Sequence, residues 1–191
     1  PALLPAWSAA GADTATMNVL RHGVPIDWKA GHPPPNIIST PQWPLNAEDS
    51  EFVRTELQQL LRIGAIQRAH HPVHTSPIFV VRHAKPRMVI DLTTLNEHVS
   101  DQPFRLTSIS DVRDWIRPGS FVGVTDVKSG FHHLQMGDEA ASWTGFTFEG
   151  ATYQFEAMPF GLKSAPWHFC KAMLPLTKAA SRRGVDLISY C

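Results

Sequence analysis

Cysteine is almost missing from this chain. Two residues, Cys170 and Cys191, stand among 191. They form no disulfide framework and fit a reducing compartment, so an intracellular place, cytoplasm or nucleus, is expected. A surplus of either charge is missing too: 17 Lys and Arg face 17 Asp and Glu, for a net charge of +0 with histidine neutral. Composition thus gives no positive argument for nucleic-acid binding, which ordinarily shows as a basic surplus or patch. No apolar run approaches the roughly 18 residues of a membrane span, and no membrane partner is expected. No basic-then-apolar leader opens the chain. Its first residue is Pro rather than Met, which agrees with a fragment or a piece cut from a polyprotein.

What is present is a core's worth of apolar residues, 43% of the chain, too many for wholesale disorder. Ten histidines make the charge pH-sensitive below about 6.5. Much of the proline falls in residues 1–45. Pro33-Pro34-Pro35, Pro41 and Pro44 forbid long helices there and favour an extended path. One short element is expected at Thr14–Arg21, closed by Gly23, with Trp7, Trp28 and Trp43 packing the extension on the body.

Glu48–Ile63 reads as the clearest helix. Phe52, Val53, Leu57, Leu60, Leu61 and Ile63 form its apolar stripe, Asn46 or Asp49 its cap, and Gly64 its stop. His70, His71 and His74 lie near Pro72 without a carboxylate or Cys at zinc-site spacing, and read as a loop cluster rather than a metal site. Ser76–Arg82 and Arg87–Leu92 form a hairpin around His83-Ala84-Lys85-Pro86. Thr107–Ile116 is expected to be helical up to Pro118-Gly119. Trp143–Phe148 and Thr152–Ala157 alternate around Glu149-Gly150, a hairpin signal. Lys163–Ala180 follows as a helix with Pro166 in its first turn, a kink at Pro175, and Phe169, Ala172, Met173 and Leu176 facing the core. Val185–Tyr190 is the last expected strand.

The stretch around which these elements group is Phe121-Val-Gly-Val-Thr-Asp126-Val-Lys-Ser-Gly-Phe-His-His133. Phe121–Val124 reads as a buried strand that ends on a carboxylate. Ser129-Gly130 breaks it. An Asp at a strand end before a tight turn suits a metal held over a phosphate, or the plain capping of a helix. From Phe121 onward the expected order is β-α-β-β-α-β, a ferredoxin-like fold that by itself says nothing of chemistry.

Phe121–His133, Met158–Pro166 and Leu187-Ile-Ser-Tyr-Cys191 resemble, in order and spacing, the first polymerase motif, the second, and the strand leading into the Tyr-x-Asp-Asp motif of retrotransposon reverse transcriptases. Ser76–Val81 and Arg87–Asn96 resemble the fingers hairpin of the same family. The resemblance covers roughly residues 50–191 and is strongest to the gypsy-like and DIRS-like group. The early run Trp7…Gly11…Val19–Val24…Trp28…Pro33-Pro-Pro35 leans toward the DIRS side. Several motifs in order are more specific than any one of them.

The resemblance implies an α+β fold: an incomplete right hand of polymerase fingers plus a ferredoxin-like palm. Residues 1–45 would be a Pro/Trp-rich N-terminal extension, 46–119 the fingers and 120–191 the palm, with the hairpin at 143–158 open to assignment to the fingers. The family continues with two aspartates where this chain reaches Cys191, so a palm truncated at its C-terminus is expected. The implied function is template-directed DNA synthesis by two-metal nucleotidyl transfer within a retrotransposon polyprotein. A catalytically dead module of the same fold, serving nucleic-acid binding or assembly, is the alternative.

The implied partners are an RNA or DNA template with primer, deoxynucleoside triphosphates, and thumb, RNase H and other polyprotein domains on the C-terminal side. The implied cofactor is Mg²⁺, two ions in the complete enzyme, or Mn²⁺. Asp126 would be the catalytic metal ligand, with the Val127 carbonyl as a further oxygen; hard cations of this kind take oxygen ligands. Arg87 would grip the triphosphate, as a planar guanidinium suits a phosphate fork. Ser129 and Gly130 would offer backbone N–H groups to phosphates. Phe131 would pack under the sugar and exclude a 2′-hydroxyl, or belong to the core as most phenylalanines do. Phe160 and Gly161 open the second motif and line the nucleotide. Arg82 and Lys85 are both candidates for the basic residue of the hairpin tip, and Lys163 either touches nucleic-acid backbone or sits in solvent.

Overall fold

Asn46 begins the longest early helix for the expected reason: its side-chain oxygen accepts the Asp49 N–H at 2.7 Å. The helix, α3, runs Ala47–Arg62 in the computed structural model, which describes the chain except residues 1, 2, 36, 38, 83, 84, 106, 109, 111, 114, 115, 117, 118, 120, 186 and 188–191. It buries Val53, Leu57 and Leu60, while Leu61 and Ile63 at the edge of the predicted stripe stay exposed. Before it come α1, Leu4–Ala10, and α2, Thr14–His22. Asp13 caps α2 by accepting the Thr16 N–H at 2.7 Å. The proline-rich reading had left α1 out: Pro5 stands in its first turn, where a missing N–H costs nothing.

The strands are β1, Ile66–Arg68; β2, Ile78–Arg82; β3, Pro86–Ile90; β4, Gly145–Phe148; and β5, Ala151–Phe155. They form an antiparallel three-stranded sheet ordered β1-β5-β4 and a two-stranded sheet of β2 and β3. Both predicted hairpins form. In the second, Phe148 pairs with Ala151, and Glu149 and Gly150 turn with φ 48° and 75°. Positive φ at both loop positions matches the right-handed twist of the strands. Short helices α4, Thr93–Asn96, and α5, Asp138–Ala141, and a tighter 3₁₀ turn at Gly130–His133 fill the connections. The last helix, α6, is Ala165–Ser181.

One core unites these pieces: Val53, Leu57, Ile66, Ile78, Leu92, Leu95, Val99, Phe146 and Met158 are buried together. The N-terminal segment joins it. The Val24 N–H donates to the Gln135 carbonyl at 2.7 Å, the Gly137 N–H returns to the Val24 carbonyl at 3.0 Å, and Val24 is fully buried. Trp28 meets Trp143 edge-on at 4.9 Å, and Trp43 lies 6.2 Å from Phe79. The fold is thus α+β, with small antiparallel sheets.

Several expectations are corrected. Phe121–Val124 is no buried strand: residues 121–127 have no regular secondary structure, and Phe121 and Val124 are fully or nearly fully exposed. An apolar run becomes a strand only where another strand takes up its N–H and C=O groups, and among the described residues none does so. The β-α-β-β-α-β order is therefore not reproduced there. The strand expected at Val185–Tyr190 lies mostly outside the described residues. So does part of the helix expected over Thr107–Ile116, where the Val112 N–H to the Ser108 carbonyl and the Ile116 N–H to the Val112 carbonyl, at 3.2 and 3.3 Å, follow the helical pattern.

Helix α6 buries Ala165, His168, Ala172 and Pro175; of the residues expected to face inward, Ala172 lies in the core and Phe169 packs against it, while Leu176 is exposed. α1 packs along α6, a contact no apolar count on α6 alone contains. His74 lies in a loop as expected but is fully buried, with Nε2 3.0 Å from the Ser76 hydroxyl, whereas His70 and His71 are exposed.

Candidate functional site

Ser129 takes the left-handed conformation, φ 52°, and turns the chain into Gly130–His133. The His132 N–H donates to the Ser129 carbonyl at 2.9 Å and the Leu134 N–H to the Phe131 carbonyl at 3.1 Å. This tight turn holds the half-buried Phe131 against two rings from elsewhere in the chain. Phe160 lies 5.0 Å away, centroid to centroid, and Phe169 on α6 5.7 Å away in an edge contact. His132 adds its ring 5.2 Å from Phe160. Such contacts contribute about 0.5–1.5 kcal/mol each beyond area burial and fix ring orientation. Gly130 backs the cluster, since a Cβ there would stand 3.0 Å from the Phe169 ring. Phe160 remains 44% exposed, so the cluster presents an open aromatic face.

A second set of contacts anchors the loop after Phe160. Gly161 has φ 99°, a conformation that disfavours any side chain. Its carbonyl accepts the Asn96 Nδ2–H at 2.8 Å, and the Asn96 Oδ1 accepts the Lys163 N–H at 2.8 Å. One amide side chain thus ties α4 to the loop at 161–163. Asn96 was not singled out in the sequence, although it ends the Arg87–Asn96 run. A polar residue closing an apolar turn was the available signal. Lys163 is engaged as well: its ammonium pairs with Asp101 and reaches the Val99 carbonyl at 3.4 Å.

Of the expected site residues, the structure brings Ser129, Gly130, Phe131, Phe160 and Gly161 into one neighbourhood. Asp126 and Val127 lie just before it on the exposed segment 121–127. Arg87 projects from β3 opposite Val81 and is exposed. Of the two hairpin-tip candidates, Arg82 is bound to α3 through Asp49 at 2.5 Å and Glu48 at 2.8 Å, while Lys85 stands exposed. Among the described residues, no three His, Cys, Asp or Glu side chains gather as a metal site.

Burial colours the histidines here and nearby. It holds the imidazoles of His74, His132 and His168 below their ordinary range, because a cation there would lose its hydration. The Nε2 atoms of His132 and His168 are buried without a hydrogen-bond partner among the described residues.

No protein-family model matches the chain. Individual relatives do. The retrovirus-related Pol polyprotein from transposon gypsy of Drosophila melanogaster is 31% identical over 132 residues, 65% of this chain and 13% of that polyprotein. The counterpart from transposon 297 of the same fly is 29% identical over 143 residues, 71% of this chain and 13% of the polyprotein. The enzymatic polyprotein of figwort mosaic virus is 27% identical over 155 residues, 78% of this chain and 23% of the polyprotein. The chain therefore spans between an eighth and a quarter of the length of these relatives. It is similar to one region of polyproteins from retrotransposons and plant viruses, a likeness that supports a place in a retroelement polyprotein.

Proposed function

We propose that this region carries out template-directed DNA synthesis, reverse transcription, inside a retroelement polyprotein, with 46–119 as fingers and 120–191 as palm. The observation that carries the reading is the contact of Phe131 with Phe160 at 5.0 Å. It joins two motifs recognised separately in the sequence. An aromatic ledge beside backbone N–H groups suits a nucleotide. Phe160 offers a face for stacking, Phe131 the bulk that a 2′-hydroxyl would meet, and Ser129 and Gly130 donors for phosphate oxygens. Arg87 and Lys85 are the cations of the hairpin left to draw in a triphosphate; Arg82 is already matched by acids.

Magnesium would supply Lewis-acid activation of the primer hydroxyl and neutralise the leaving pyrophosphate. Asp126, with the Val127 carbonyl, is the proposed ligand. Two divalent ions close together need several anionic oxygens. The described residues gather no such group around Asp126, so as placed they do not fit a two-ion centre. That same observation favours a second reading, a module of this fold that binds nucleic acid or assembles without catalysing.

The test uses the parent polyprotein with Asp126→Asn. Primer extension should fall by roughly a thousandfold or more, the equivalent of about 4 kcal/mol of barrier, with template-primer binding kept. Near-normal extension by the variant would refute the enzymatic reading. Wild-type protein that binds template-primer without extending it would establish the second.

A further inference from the structure

Helix α4 is short but firmly mounted. Leu95 within it, Leu92 before it and Val99 after it are buried in the core. The turn that follows is stitched to the N-terminal segment. The Ser100 N–H donates to the Asp27 carbonyl at 2.7 Å, the Lys29 N–H to the His98 carbonyl at 2.9 Å, and the Lys29 ammonium to the Glu97 carbonyl at 2.7 Å. Asn96, half-buried, is carried by this mount.

Its amide is used from both ends. Nδ2–H donates to the Gly161 carbonyl and Oδ1 accepts the Lys163 N–H, each at 2.8 Å. A carbonyl only accepts and an N–H only donates, so one orientation of the amide satisfies both. Leu162, between the two bonded residues, is buried. A Cβ on Gly161 would stand 3.2 Å from the Ile90 carbonyl, so the loop lies close against the end of β3. The Lys163 ammonium adds a strut to Asp101 and the Val99 carbonyl. All these polar supports come from residues 96–101. Phe160, next in the chain to Gly161, keeps an open face and meets Phe131 and His132 at 5.0 and 5.2 Å. Ring contacts orient the side chain; the backbone that carries it is held from α4.

A stacking face adds most to affinity when it is in place before the ligand arrives, because ordering it on binding costs free energy. We propose, resting on the reading of Phe160 as a nucleotide-stacking ring, that Asn96 is its positioning residue: through the Gly161 carbonyl and the Lys163 N–H it fixes the backbone from which the ring projects. It acts without touching the nucleotide. The ring meets the base alike before and during phosphoryl transfer, so loss of Asn96 acts on nucleotide binding rather than on the chemical step. The same stretch of chain leads directly from β3, which carries Arg87. The stacking ring and the hairpin cation are thus mounted on one connection.

The test is steady-state primer extension by the parent polyprotein with the deoxynucleotide as varied substrate, beside a titration of template-primer. Asn96→Ala removes both bonds. It should raise the deoxynucleotide KM about tenfold, the scale of two neutral hydrogen bonds, with kcat and template-primer affinity kept. Asn96→Asp keeps an acceptor for the Lys163 N–H but sets a carboxylate oxygen against the Gly161 carbonyl, and should raise KM at least as far. Phe160→Ala should raise KM as well, and adding Asn96→Ala to it should raise KM no further, because Asn96 acts through that ring. Thr93→Ala is the control for α4 itself: this hydroxyl donates to the Asp91 carboxylate at 2.5 Å, at the start of the helix, so KM should not change. An unchanged KM in Asn96→Ala, a fall in kcat alone, KM increases that multiply in the double variant, or an equal rise in Thr93→Ala would overturn the proposal. A wild-type parent that neither binds nor incorporates deoxynucleotides would refute the nucleotide reading and this proposal with it. An active parent indifferent to Asn96 would refute this proposal alone.

Discussion

Replacing Gly23 by Ala tests the seam between the N-terminal segment and the body. Gly23 has φ 84° and ψ 170°, a combination essentially confined to glycine, and holding another residue there costs roughly 1–3 kcal/mol. The new methyl carbon would also lie 2.4 Å from the Gly137 nitrogen, 2.4 Å from the Met136 carbonyl carbon and 2.5 Å from its oxygen. All three are backbone atoms, so no side chain can swing aside. Relief requires separating the strands, which breaks the Val24–Gln135 and Gly137–Val24 hydrogen bonds of 2.7 and 3.0 Å, each contributing about 1 kcal/mol. The sum is about 3–5 kcal/mol, a large part of the roughly 5–15 kcal/mol that holds a domain folded. In urea, with a slope of about 2 kcal/mol per molar, the unfolding midpoint should drop by about 1.5 M or more. Gly31→Ala is the control: its φ is 75° but no atom lies within 4 Å of the added carbon. It should show backbone strain alone, a drop of about 0.5–1.5 M and smaller than that of Gly23→Ala. Equal midpoints for the two variants would refute the collision argument, and a Gly23→Ala protein as stable as wild type would refute the docking of residues 14–28 as described.

Phe131→Val should lower the ratio of kcat/KM for deoxynucleotides over ribonucleotides in the parent polyprotein by about tenfold or more, because the ring beneath Phe160 is lost; an unchanged ratio in a folded variant would return Phe131 to plain core packing. Stability should fall on acidification below about 6.5. The folded imidazoles of His74, His132 and His168 are held below the unfolded value by burial, so the unfolded chain takes up protons first and gains relative to the fold until the folded groups also protonate. Urea midpoints compared at about pH 7.5 and 5.5 check the sign, and His74→Gln should flatten the slope; a midpoint that rises on acidification would contradict it.

Local chemistry was what could be read from the sequence. Asn46 announced α3 because a cap and its partner N–H are three residues apart, and Glu149-Gly150 announced a hairpin because the turn is confined to two residues. Partnerships at long range could not be read that way. Phe121–Val124 has the composition of a buried strand, but burial needs a neighbour, and composition does not say whether one is there. On α6, Ala172 and Phe169 face inward as their spacing predicts, whereas the burial of His168 and the exposure of Leu176 do not follow from the helix's own apolar pattern. His74 reads in the sequence as one of a loop cluster, and its burial belongs to the fold. The Phe131–Phe160 neighbourhood was legible only as two motifs of a family; their contact, and the bridge made by Asn96, are products of folding.

The stitch between Val24 and Met136 orders events in time. Residues 4–28 leave the ribosome before their partners exist. Arg182 bonds the Ala10 carbonyl at 2.6 Å across a separation of 172 residues, and α1 lies along α6. At about 5–20 residues per second the segment waits roughly ten seconds or more for its last contacts. Meanwhile Met17, Val24 and Ile26, all buried in the finished fold, stay open to water and to chaperones. The contact between residues 10 and 182 therefore cannot form until both have been made.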